Sequence, residues 1–277
     1  MGKDFCLASQ EIRARIKEGR IKTPFDELRI QPSSFEPIIG DEIYVLDTEA
    51  GAFQPDENQT VYGTLLQLPE KRRQKVDIGG GFELKKGFTY LVPLEDRIIL
   101  SPGEYVKSSP KSSLGRVFLN TRLLTDNNPC MDEINSHYVA GREIGLWLLV
   151  QPLAFNLITH PGLTLNQLRF FDSYAARISV PGLEKIIKKA PILFNVDDDG
   201  KCSPAEPVFN FDGLQVHLDL SGKHTEGIAG LRARKNPMPI DLAEKKGTRQ
   251  NNILSPLRAQ KLRWKTGNAT FFLLLSL

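Results

Sequence analysis

From Asp41 onward the chain is written in short apolar runs set apart by turn residues. DEIYVLD (41–47), TVYGTLLQL (60–68), FTYLVPL (88–94) and RIILSPGEYVKSS (97–109) are rich in β-branched and aromatic side chains. Runs of that length and spacing predict strands. The pattern continues through GREIGLWLLVQPLAFNLITHPGLTLNQLRFF (141–171), with breaks at Pro152, Pro161 and Gly162. Two stretches carry helical spacing instead. In QEIRARIKEG (10–19), Ile12 and Ile16 fall four apart, Ser9 is a suitable N-cap and Gly19 a suitable left-handed stop. Over Val180–Ala190, Pro181 suits a first helical position, and Leu183, Ile186, Ile187 and Ala190 form one apolar stripe. Helix-length patterns are missing between the strands up to about residue 171, so the predicted fold is mainly β. A sandwich or barrel is preferred over α/β.

The polar, turn-rich stretch NVDDDGKCSPAEP (195–207) reads as a loop or linker. Strand-like alternation returns in FNFDGLQVHLDLSG (209–222) and GIAGLRARKNPMPIDL (227–242). The final KLRWKTGNATFFLLLSL (261–277) ends on an apolar strand with no turn or cap behind it. Two segments echo earlier ones: WKTGNATFFLLLS resembles LSPGEYVKSS, and FNFDGLQVHLDLSG can be set beside FEPIIGDEIYVLD. An internal duplication follows as an expectation. Residues 1–171 would form one module, 172–207 a helix and linker, and 208–277 the start of a second module that is incomplete.

Composition narrows the function classes. A chain of 277 residues can bury a core as one large domain or two small ones. Thirty-six basic against thirty-three acidic side chains leave +3, too slight an excess to point to duplex nucleic acid or an anionic membrane. Cys6, Cys130 and Cys202 form no CxxC pair, which argues against a disulfide framework and a cysteine-based zinc site. The N-terminal MGKDFCLASQEIR is charged where a signal peptide needs an apolar core. The longest apolar run, Phe271–Leu275, falls far short of the roughly 20 residues that span a bilayer. A soluble, cytoplasmic protein is expected.

The most informative motif is KSSLGR, Lys111 to Arg116, between two strand-like runs. Lys111 and Arg116 can meet phosphate oxygens with charge-assisted bonds, and Ser112 and Ser113 can donate further ones. Gly115 would let the backbone come close to a ligand. The competing reading is a solvated turn with two charges. Asn195, Asp197, Asp199, Gly200 and Glu206 have the ligand spacing of an EF-hand loop, but Pro204 and Pro207 sit where the exiting helix must start, so an acidic turn is preferred. His224-Thr225-Glu226 matches half of the zinc-deaminase signature with no P-C-x-x-C to complete it. The basic cluster KRRQK (71–75) lacks interleaved aromatics and reads as a solvated loop. No GxGxxG, GxxxxGK[ST] or GxSxG is present.

SQEIRARIKEGRI (9–21), QPSSFEPIIGDEI (31–43), LSPGEYVKSSPKSSLGR (100–116) and ITHPGLTLNQLRF (158–170) occur in the order and spacing seen in dCTP deaminases. The chain resembles that family of the dUTPase-like superfamily, and within it the long bacterial form built of two modules. DGLQVHLDLSG (212–222) and GIAGLRARKNPMPIDL resemble the opening of the second module, which would here be truncated.

The resemblance implies a distorted β-barrel, assembled as a trimer or pseudo-trimer with active sites between modules. It implies zinc-independent deamination of dCTP to dUTP, on the route to dUMP and dTTP. In that reaction a glutamate deprotonates the water that attacks C4 of cytosine. Mg²⁺ would come with the triphosphate. Carried onto this chain, Lys111, Ser112, Ser113 and Arg116 form the phosphate and water-positioning set, with Ser112 counted among the catalytic residues and Gly115 as the point of close approach. The implied partners are dCTP and dUTP, not a nucleic-acid polymer or a membrane. Two departures stand out. Counting back from His160-Pro161-Gly162 puts the family's glutamate at Leu148 or Leu149, and the nearest carboxylate is Glu143, the candidate base. After QPSS, where the family has Asp and Arg, the chain has Glu36 and Ile38. Two alternatives therefore stay open: a dUTPase or bifunctional deaminase–dUTPase, and a catalytically impaired nucleotide-binding module.

Overall fold

The computed structural model describes residues 6–24, 27–47, 53, 56–173, 179–197, 201–210, 213–215, 222, 225–235, 238–244 and 254–258. The chain divides into two compact units, one of residues 1–176, 236–247 and 271–277, the other of 177–235 and 248–270.

The first unit opens with helix α1 (Ser9–Lys17), then β1 (Ile21–Lys22), β2 (Ile30–Gln31), β3 (Ser34–Phe35) and β4 (Glu42–Leu46). Helix α2 (Val61–Gln67) precedes β5 (Arg73–Asp77), β6 (Phe82–Leu84), β7 (Thr89–Ile99) and β8 (Tyr105–Pro110). One helical turn, α3 (Ser112–Gly115), leads into β9 (Leu119–Thr125) and β10 (Glu133–Asn135). Another, α4 (Ser136–Val139), leads into β11 (Glu143–Pro152), β12 (Leu157–Thr159) and β13 (Asn166–Phe171). The second unit carries α5 (Val180–Lys189) and the two-stranded pairs β14 (Phe194–Val196) with β15 (Cys202–Pro204) and β16 (Val208–Asn210) with β17 (Gly213–Gln215). Strand β18 (Ile228–Ala233) pairs with β20 (Leu254–Arg258). Between them in sequence, β19 (Ile240–Asp241) belongs to the first unit.

Two antiparallel sheets dominate the first unit. One runs β5-β4-β7-β11-β9, with β1 also on β7; the other runs β10-β8-β13-β3-β2. A smaller sheet places β12 between β6, antiparallel, and β19, parallel. The alternation in β11 explains its place in the first sheet. Ile144, Leu146, Leu148 and Val150 share one face and are at most 2% exposed. Burying each contributes about 1.5–3 kcal/mol. On the opposite face Trp147 and Leu149 pack against a cluster of Tyr44, Leu46, Phe53, Val61, Leu65, Leu91 and Leu124.

That cluster contains the clearest correction to the expected elements. TVYGTLLQL is helix α2, not a strand. Val61, Leu65 and Leu68 recur at helical intervals, and the first two are fully buried. Thr60 is extended, and its Oγ1 accepts the Gly63 N–H at 2.9 Å. At α1 the cap is Ala8, not Ser9; the Ala8 N–H donates to Glu11 Oε2 at 3.0 Å. Gly19 ends the helix with φ +70° as expected. Residues 195–207 are not a plain linker. They carry the β14–β15 hairpin, in which Asp197 Oδ1 accepts the Lys201 N–H at 2.7 Å. Helix α5 is present where the stripe predicted it, but none of its residues is buried. The strand expected over 261–277, and with it half of the proposed echo, lies outside the described residues.

Candidate functional site

Strand β8 ends at Pro110, in register with Asn166 of β13, and the KSSLGR motif begins at once. The Lys111 N–H donates to Leu165 O at 3.0 Å, and Leu114, 6% exposed, anchors the single turn of α3. Ser112, Ser113, Gly115 and Arg116 face solvent around that anchor. The turn closes through Phe118, which holds a left-handed φ of +55°. A non-glycine residue there costs on the order of 1–2 kcal/mol. The Phe118 N–H donates to Gly115 O at 3.1 Å, its carbonyl accepts from Leu153 at 2.9 Å, and its ring packs edge-on against Phe155 at 5.8 Å. The exposed donors thus stand on a turn pinned at both ends. A Cβ at Gly115 would meet nothing within 4 Å, so the protein itself does not crowd this glycine.

The members of the expected phosphate set differ in their partners. The Lys111 ammonium donates to Glu36 Oε2 at 2.6 Å and to Thr164 Oγ1 at 2.6 Å, and Glu36 is only 6% exposed. Lys111 is therefore engaged inside the protein. Among the described residues Arg116 forms no ion pair, and neither serine hydroxyl bonds another side chain. Thr164, part of this arrangement, was not singled out from the sequence. It lies 53 residues from Lys111, and no local pattern signals the pairing.

Glu143 does not join the loop. It is the first residue of β11, paired with Ile99 of β7, whereas the last residue, Pro152, pairs with Leu119 just beyond the loop. Nine steps along a strand separate those ends, roughly 30 Å. A hydrogen bond from Lys22 at 2.5 Å, with Arg97 at 3.9 Å, lowers the Glu143 carboxyl below its ordinary range despite slight desolvation. Within one chain Glu143 is thus neither near the loop nor poised to take up a proton. Leu148 is fully buried and Leu149 lies in the α2 cluster, so no carboxylate stands at the expected position.

Among the described residues no three His, Cys, Asp or Glu side chains stand together as a metal site. His224 and residues 198–200 of the acidic turn lie outside them. His160, in the turn before β13, meets both Asp241 oxygens at 3.1 Å and so ties β19 to β12. Gly81 has φ +87°, and a Cβ there would sit 2.8 Å from His160. No described helix is long and apolar enough to cross a membrane.

Residues 3–174 match the family model of the 2'-deoxycytidine 5'-triphosphate deaminase N-terminal domain, a span that includes both sheets and the loop. The chain belongs to the dCTP deaminase family. No curated protein matches it. Among solved structures, the dCTP deaminase of Agrobacterium tumefaciens is similar with a TM-score of 0.77 and 25% sequence identity. That match covers 93% of this chain and 71% of the Agrobacterium chain. The mainly β architecture is accordingly the dUTPase-like fold of the dCTP deaminases.

Proposed function

We propose that the chain hydrolyses dCTP to dUTP and ammonia, with Ser112, Ser113 and Arg116 holding the triphosphate. The observation that carries this reading is an exposed donor set, without side-chain partners among the described residues, on a pinned turn inside the segment that matches the family. The guanidinium fork suits two phosphate oxygens at once, and the hydroxyls supply further donors. The open space over Gly115 leaves room for a phosphate. Lys111 contributes by fixing the start of the turn through Glu36. Any Mg²⁺ would arrive with the nucleotide.

In the reaction, water adds to C4 of cytosine as a base removes its proton. The C4–N bond then breaks, and the amine leaves as ammonia with that proton while C4 keeps the oxygen. Leu148 and Leu149 cannot accept a proton, so the base belongs to another module or another copy of the chain. This agrees with the expected trimeric or pseudo-trimeric assembly and with sites shared between its parts. The same reading takes 1–171 as the loop-bearing module and 208–277 as belonging to a second, in a cytoplasmic enzyme of pyrimidine nucleotide metabolism.

One observation favours a second reading. The face of β11 that carries Leu149 is covered by apolar side chains of α2, which suits a module that binds a nucleotide without turning it over. Chromatography of nucleotides after incubation of the purified protein with dCTP and Mg²⁺ separates the two. Appearance of dUTP supports deamination, and dUMP with pyrophosphate supports the bifunctional alternative. Unchanged dCTP, together with calorimetric binding that Arg116→Ala removes, supports the binding module. Absence of both turnover and binding sinks all three.

A further inference from the structure

The basic run KRRQK is solvated as expected but is not a loop. A 3-10 turn at Glu70–Arg72 leads it into β5, the edge strand paired with β4, with Leu46 opposite Arg73 and Tyr44 opposite Lys75. The fold thereby supplies the aromatics the sequence lacks locally. Tyr62 of α2 lies nearly parallel to Trp147, with ring centroids 6.4 Å apart at 17°. Tyr44 meets both rings, at 6.5 and 6.2 Å. Tyr62 nonetheless remains 47% exposed, leaving ring surface open to solvent.

Tyr44, Tyr62, Lys71, Arg73 and Lys75 line one half-open surface groove of about 550 Å³ with Glu70 and Gln74. Lys75 is paired with Glu42. Lys71 and Arg73 have no carboxylate partner among the described residues. Two cations without a carboxylate partner among the described residues, beside an open aromatic surface, suit an anion that also carries a flat ring. The volume lies in the range of small-ligand sites.

We propose that this groove binds a nucleoside phosphate, with the base on the open surface of Tyr62 and the phosphate on Lys71 and Arg73. Ring–base stacking tolerates any base, and the cations make the phosphate the common determinant. The site is separate from KSSLGR. In the order β5-β4-β7-β11-β9, four strand spacings, roughly 19 Å, lie between β5 and the strand the loop feeds. Among the described residues that line the groove only Tyr62 offers open stacking surface, so a mononucleotide fits better than a single strand, which needs successive platforms.

The test uses the full chain carrying Arg116→Ala, so that the loop does not contribute, titrated calorimetrically with AMP and UMP. Both are expected to bind once per chain. Adding Arg73→Ala or Tyr62→Leu should weaken binding tenfold or more, and Arg73→Lys should restore part of the loss. Inorganic phosphate, which has no ring, should bind at least tenfold more weakly than either nucleotide. The exposed Lys71→Ala serves as a third variant should Arg73→Ala fail to fold. The proposal is overturned by no nucleotide binding, by binding that all these variants leave unchanged, by phosphate binding as tightly as AMP, or by an oligonucleotide binding far more tightly than either mononucleotide.

Discussion

At its Glu143 end β11 meets Ile99, and Lys22 and Arg97 crowd the carboxylate. At its Pro152 end it meets Leu119, three residues past Arg116, whose guanidinium has no carboxylate partner among the described residues. The sequence offers a charged candidate at each end, and the two differ in how far their charge is matched. A carboxylate already matched by two cations is stabilised in its ionised form and gains little by taking a proton. An unmatched guanidinium on a rigid turn can give its full attraction to an incoming phosphate. The same distinction holds within the loop itself, where Lys111 is engaged by Glu36 and Arg116 has no ion-pair partner among the described residues. A motif counts charges; the fold decides which of them are left over.

The harshest way to break this comparison is to put a carboxylate between the two ends, where the family resemblance expects one. Leu149→Glu would desolvate an acid against Tyr44, Leu46, Leu91 and Leu124. Its cross-strand neighbour on β9 is Arg122, which is exposed and already paired with Asp132, so about 2–3 kcal/mol of stability should still be lost at neutral pH, and the new carboxyl should titrate high. Urea unfolding monitored by fluorescence measures this. An unchanged midpoint would mean that the face beneath α2 is wet and could have held a base after all.

Arg116→Ala comes next and acts on binding, not stability. Losing charge-assisted bonds to phosphate should weaken dCTP binding roughly 10- to 100-fold with little change in the unfolding midpoint. Arg116→Lys should recover only part, since an ammonium lacks the planar fork. Lys111→Met should invert that pattern. It leaves Glu36 buried beside Thr164 with its cation gone, costing about 1–3 kcal/mol of stability, while dCTP affinity falls less than for Arg116→Ala. If Lys111→Met matched the binding loss of Arg116→Ala at full stability, the ammonium would be a phosphate ligand.

Much of the scaffold was legible because strands declare themselves locally. Alternation marked β4, β7, β8, β11 and β13, and Gly19 marked the end of α1. Helix α2 was not legible, because Val61 and Leu65 fit a strand run as easily as a helix in so short a window. The loop was visible as a motif, but the pairing of Lys111 with Glu36 spans 75 residues, and no local signal carries it. The aromatic partners of KRRQK were hidden for the same reason. Tyr62 lies on a helix read as a strand, and Trp147 lies on a strand read without its neighbours.

Glu104 shows what a matched carboxylate looks like when it is buried. Burial alone would raise its carboxyl, but Arg15 at 2.6 Å, the Ser101 N–H at 2.7 Å and Arg20 outweigh it and hold the group below its ordinary value. The sign follows from that direction. The stabilisation is complete above the ordinary carboxylate range and is lost as pH falls through the lowered folded value. Glu104→Gln should therefore cost stability at neutral pH and flatten the loss on acidification. An acid limb as steep as wild type would show that Glu104 does not drive it.

The smallest expected effect is at Glu143, and it bears most directly on the comparison. Its carboxyl is lowered by the Lys22 hydrogen bond and by Arg97, and it stands on the surface roughly 30 Å from its own loop. A general base works best with a pKa near the operating pH, and a group already ionised and paired is a poor acceptor. Glu143→Gln should leave dCTP affinity, any turnover and its pH profile at wild-type values. A tenfold loss of turnover with unchanged dCTP affinity would break the comparison at its root. The exposed end of β11 would then face the loop of another copy, with the proton acceptor supplied across a subunit boundary and Lys22 displaced on assembly.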